Sequence, residues 1–162
     1  MNKSFYHWGS ALVGVAFVVA GLIMGYLGWH SRTEITDNLI AENLNVQDPA
    51  ILLTYEGARA PEGVEVPMVL VDTAAKADLE AQVIHTHVLG ITGGQTYTEL
   101  DREDPGRATY VTALTLQTAL HLAHSGLELS LFVIGVGVAF TGLGLSILVL
   151  GLPLIRKVLA LK

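Results

Sequence analysis

Six histidines are the residues of this chain best suited by type to chemistry: His7, His30, His85, His87, His121 and His124. His121 and His124 stand three apart, which puts both on one face of a helix with ~5–6 Å between Cβ atoms. Glu128 follows one turn later. His85 and His87 stand two apart, a spacing at which helical side chains diverge. If their helix packed against the one carrying His121 and His124, the imidazoles would build a zinc or copper site. That arrangement suits an extracytoplasmic metal-binding or sensing module. Histidines at the edge of a membrane also need no metal, because the ring nitrogens meet water while the ring carbons meet apolar neighbours. On that ground no cofactor is expected.

Nothing else in the sequence has catalytic form. There is no Ser, His and Asp order of triad type, no placeable pair of carboxylates and no nucleotide motif. Gly93-Gly94 precedes no Lys-bearing helix start, so it is not a phosphate loop. A non-catalytic chain is expected. With no cysteine, it offers neither a disulfide nor thiol chemistry.

The elements that would position these residues are set by composition. The chain is 51% hydrophobic and 15% charged, against ~25% charged in soluble domains. The apolar excess lies in two uncharged runs, 10–29 and 129–155. About 20 apolar residues at 1.5 Å rise cross ~30 Å of hydrocarbon. Tyr6, Trp8, Tyr26 and Trp29 flank the first run, as interfacial rings do. These features predict transmembrane helices at 10–29 and 129–152, short tails at 1–9 and 153–162, and a segment between them at 30–128. The first run is long for a signal-peptide core, and Gly28-Trp29-His30 is a poor cleavage site; an uncleaved anchor is expected.

Charge orients the spans. All fifteen acidic residues lie between Glu34 and Glu128; five basic residues lie in 30–128, giving 5 − 15 = −10 there, and four lie in the tails. The positive-inside rule puts both termini in the cytoplasm and 30–128 outside, in a multi-pass protein of the cell membrane. The acidic segment excludes nucleic acid as a partner.

Within 30–128, Asn38–Val46, Ile51–Tyr55 and Val66–Val71 read as short strands somewhere in 38–71, with Pro67 suited to an edge or a strand start. Asp72-Thr73 can cap a helix over about 73–90, with Ala75, Leu79, Val83 and His87 on one face. Thr96 to Glu99 has capping-box form. Asp104 followed by Pro105 is the preferred start of a helix. That helix covers 105–128 and, with no breaker before Pro153, continues into the second span over roughly 70 Å. Gly93, Gly94, Tyr97, Arg102, Glu103, Asp104, Pro105 and Arg107 are expected to form a helix–turn–helix corner held by caps and ion pairs. The predicted fold is a membrane protein, mainly α, with a small extracytoplasmic α+β domain.

Ala81-Gln82-Val83-Ile84, His87, the run from Gly93 through Pro105, and Arg107-Ala108-Thr109 carry a resemblance. With the second span, they resemble an uncharacterised family of small two-span membrane proteins from actinobacteria. Residues 32–71 depart from it. Members are often labelled "aromatic ring-opening dioxygenase". Such enzymes hold one iron with two His and a carboxylate, and the shared motif contains no such triad. The resemblance implies a two-span membrane protein rather than an oxygenase.

The spans carry association signals. Gly21 and Gly25 in the first, and Gly135 with Ala139 and Gly142 with Ser146 in the second, place small residues at spacing four, where helix backbones approach closely in lipid. Such edges serve first to pack the two spans on each other, and the second span has more small positions, Gly135, Gly137, Ala139, Thr141, Gly142, Gly144 and Ser146, than one neighbour needs. The expected function is a non-catalytic accessory protein, a small subunit or stabiliser of a larger membrane complex. Its partners would be the bilayer and other integral membrane proteins or further copies of itself.

Overall fold

A computed structural model describes residues 3–52, 54, 60–151 and 153, with side chains from residue 8 onward. Expectations for the rings of Tyr6 and His7, for Tyr55 and for the basic tail at Arg156, Lys157 and Lys162 fall outside these residues. The chain is mostly helical. Its elements are α1 (Lys3–Ala41), β1 (Asn45–Gln47), α2 (Pro49–Leu52), β2 (Met68–Leu70), α3 (Ala74–Ile91) and α4 (Gly106–Ser146), the last ending in a π-helical segment, Ile147–Gly151. Pro153 has no N–H for the carbonyl four residues back, which fits the widened last turn. Two compact units are formed, one of Met1–Arg32 with Leu129–Lys162, the other of Thr33–Glu128.

In the first unit, α1 and α4 supply two helices long and apolar enough to cross a membrane. Their most apolar stretches are only 17% and 11% buried within the chain. A core helix of a soluble protein would be mostly covered. Leu12, Val19, Leu22, Phe132 and Val138 are instead exposed.

In the second unit, α1 runs on to Ala41, where Asn43 takes the left-handed conformation at φ 50° that asparagine tolerates at a helix end. Asn38–Val46 is therefore not one strand. Ile35 and Leu39, four apart, keep a helical face on the core, and extended pairing begins only at Asn45. β1 and β2 pair antiparallel, Val46 opposite Val69, with Pro67 just before the strand where its missing N–H costs nothing. Ile51 and Leu52 are helical rather than extended: Asp48 Oδ1 accepts the Ala50 N–H at 2.9 Å and starts the single turn of α2.

α3 begins at Thr73, whose hydroxyl accepts the Lys76 N–H at 3.4 Å, and Lys76 bonds Asp72 at 2.7 Å. Its buried face is Ala74, Ala77, Ala81 and Val88, not the face through Ala75, Val83 and His87. Alanine lets α3 lie close to its neighbours, and Val83 is 48% exposed. One core gathers Leu39, Val46, Val71, Ala77, Leu120 and Leu127; a second joins Val88 to Leu100, Tyr110 and Ala113.

Candidate functional site

Three groups of residues stand out, and the helices fix each. In the first unit, Gly14, Gly21 and Gly28 recur every seventh residue along α1, as Ser130, Gly137 and Gly144 do along α4. Seven residues are close to two helical turns, so each set makes one straight edge. A methyl group at Gly144 would sit 2.6 Å from the Gly14 carbonyl oxygen; one at Gly137 would sit 2.7 Å from the Gly21 carbonyl oxygen; one at Gly28 would sit 2.9 Å from the Ser130 carbonyl oxygen. The obstacles are backbone atoms, which cannot turn aside. Phe17 and Phe140 stack edge to face at 5.3 Å beside this seam.

Of the small residues at spacing four, Gly21 and Gly25 belong to the seam, since the Gly25 backbone faces Gly137. Gly135, Ala139, Gly142 and Ser146 do not. All four are exposed, and nothing lies within 4 Å of a side chain built at Gly135 or Gly142. Spacing seven was the signal for the seam, and a search at spacing four passes over Gly14, Gly28, Gly137 and Gly144.

In the second unit, Gly93 and Gly94 turn the chain at φ 64° and 84°, values that favour glycine. Glu99 accepts both the N–H and the hydroxyl of Thr96 at 2.7 Å. Those bonds, the backbone one first, hold its carboxyl below the usual range. Asp104 Oδ1 accepts the Gly106 N–H at 2.7 Å, with Pro105 between them. Arg107 donates to the Leu100 carbonyl at 2.7 Å and lies 4.1 Å over the Tyr97 ring. Tyr97 in turn leans on Tyr110. The corner is closed by caps and a cation–π contact. The expected ion pairs are not part of it: among the described residues, Arg102, Glu103 and Asp104 make none.

The histidines do not converge. His124 Nδ1 lies 3.0 Å from the Ala74 carbonyl oxygen and ties α4 to the start of α3. His121 Nδ1 is 3.7 Å from Asp78. His87 lines a groove nearer the corner, with Glu80, Ile84 and Leu116, and His85 is not among its lining residues. His30 stacks on Tyr26 at 6.0 Å. Among the described residues no three His, Asp or Glu side chains come together to hold a metal ion. His85 and His87 thus lie on α3 and His121 and His124 on α4, where the latter two meet separate partners rather than one another.

No family model, curated protein or solved structure matches the chain. What bears on function is its own geometry. The second apolar helix has one small-residue edge filled by the first helix and another edge left open. At the corner, Glu99 is bonded to Thr96, Asp104 to the Gly106 N–H and Arg107 to the Leu100 carbonyl.

Proposed function

We propose that this chain is a non-catalytic accessory protein of a membrane, a small subunit or stabiliser of a larger membrane complex. It would be anchored by 10–29 and 129–152, with both termini cytoplasmic and 30–128 outside. Two apolar helices left largely uncovered by their own chain, and the +4 and −10 split of charge between tails and middle, support this topology. The unbroken course of α1 past Trp29, with Gly28 against Ser130 and Ile134, supports an uncleaved anchor. The actinobacterial two-span family remains the proposed kin.

The observation that carries the reading is the open edge of Gly135, Ala139, Gly142 and Ser146. Where lipid gives apolar side chains no reason to leave it, small residues favour association by letting backbones come close. The first helix already occupies the Gly137 and Gly144 edge. Partners of the open edge would be other membrane helices, with a second copy of the chain as the alternative. Purification from native membranes in mild detergent tests this. The chain is expected to migrate with one or more integral membrane proteins in fixed ratio. Recovery as a lone monomer contradicts the proposal.

A further inference from the structure

The face of α4 carrying Ala108, Thr112, Leu116, Ala119, Ala123 and Gly126 is a single stripe at helical spacing. Part of its later half faces α1: Ile35 lies against Gly126, and Ile35 and Leu39 border a second groove, of about 450 Å³, with Ala119 and Ala123. α1 ends at Ala41. The earlier half of the stripe, with the facing part of α3, is left as an open apolar groove of about 630 Å³. Glu80, Ile84 and His87 form one wall, and Thr112, Ala113 and Leu116 the other. From Glu80 to Ile91 it follows α3 for roughly 16 Å at 1.5 Å per residue, about three turns. That length takes anchors at i, i+3, i+4 and i+7 of one helix. Thr112 donates its hydroxyl to the Ala108 carbonyl at 3.1 Å and spends its proton internally.

One charge sits in this groove. Glu80 makes no hydrogen bond or ion pair among the described residues, and the lysine one turn before it, Lys76, is bound to Asp72. Burial raises its carboxyl above the usual range, as expected of a carboxylate without a cation. The surroundings are acidic, since all fifteen Asp and Glu lie in 33–128.

We propose that this groove receives a helix of a partner protein, one with an apolar stripe and a Lys or Arg placed to meet Glu80. The partner helix would lie along the apolar stripe of α4 beyond the end of α1, and its cation would supply the counter-charge that Glu80 lacks. The groove lies wholly within 33–128. Its occupancy is therefore independent of what the apolar helices bind, and either proposal can fail alone.

The test uses the full chain in nanodiscs of zwitterionic lipid. The probe is a labelled 18-residue helical peptide with leucines at i, i+3, i+4 and i+7 flanked by lysines; a control carries glutamates in place of the lysines. The lysine peptide is expected to bind saturably, about tenfold or more tighter than the control. Glu80→Lys should reverse that preference. Thr112→Trp, an exposed site in the groove, should weaken both peptides about tenfold. Asp101→Lys, exposed and outside the groove, should leave the preference intact, and far-ultraviolet circular dichroism should confirm that each variant is folded. Equal affinity for the two peptides overturns the proposal, as does indifference to Glu80→Lys and Thr112→Trp, or an equal effect of Asp101→Lys. Self-association of the chain that Thr112→Trp abolishes, without peptide binding, assigns the groove to a second copy and also overturns it.

Discussion

Where α1 meets residues 129–146 of α4, backbone comes close to backbone: Gly14 and Gly21 lie against Gly144 and Gly137, and Gly28 against the Ser130 carbonyl. Where α3 meets residues 106–128 of α4, side chains fill the space, with Leu120, Leu127, Val88 and Tyr110 among the buried residues and alanine on α3 to admit them. With 10–29 and 129–152 in a bilayer, as proposed, the two interfaces would answer different solvents. Apolar side chains leaving water gain about 25 cal/mol per Å², so an interface in water is built of large ones. Lipid gives no such gain, and contact must come from dispersion at short range. Glycine serves there because it removes what keeps helices apart. One continuous helix, α4, carries both solutions in sequence.

Substitutions should separate the two. Leu127→Ala, at a fully buried site of the second unit, is expected to cost about 3–4 kcal/mol through lost contacts and a cavity, read by denaturant unfolding of 33–128 within the full chain. Gly137→Leu should cost about 2–3 kcal/mol by forcing the helices apart, whereas Gly135→Leu should cost almost nothing in the same thermal assay in mild detergent. Equal effects at 135 and 137 would erase the distinction between the edges. His124→Ala should cost about 1 kcal/mol through loss of the bond to the Ala74 carbonyl, with bound zinc and copper at the parent's level. A fall in metal content would return the histidines to the role of ligands.

The smallest effect should be that of pH at Glu80. Its folded pKa is raised, so the folded state favours the protonated form, and that contribution is lost as pH rises through the folded value. Glu80→Gln should therefore raise the melting temperature slightly at pH 7. The gain should vanish below about pH 4, where glutamate is protonated in both states. A gain that persists at low pH would show that packing rather than charge sets the difference.

Much of this comparison was legible in the chain. Two uncharged runs give the two long apolar helices, Thr73 and Asp104 give the starts of α3 and α4, and Pro67 marks the approach to β2. Residues 33–52 were harder. Ile35, Thr36 and Ile40 are β-branched, yet the helix persists because Ile35 and Leu39 find the core one turn apart. Ile51-Leu52 is too short a run for its period to tell strand from helix. The whole seam was written in the glycines at spacing seven, while spacing four finds only Gly21 and Gly25 of it and, in α4, leads to the open edge instead. The groove needed three dimensions: nothing in the sequence says that α1 stops short of Leu116. The histidines lay on the two helices that their spacing suggested, but which partners each ring would meet, the Ala74 carbonyl for His124 and Asp78 for His121, depended on the packing of α3 against α4.

A leucine scan of residues 130–148 in the full chain, read at each position for both melting temperature and native co-purification, tests the central claim most directly. Leucine at 137 and 144 should lower the melting temperature. Leucine at 135, 139, 142 and 146 should leave it within a degree or so and strip away the co-purifying protein. If the same positions govern both readouts, or if none of the four exposed positions alters co-purification, α4 has no second edge and the account fails.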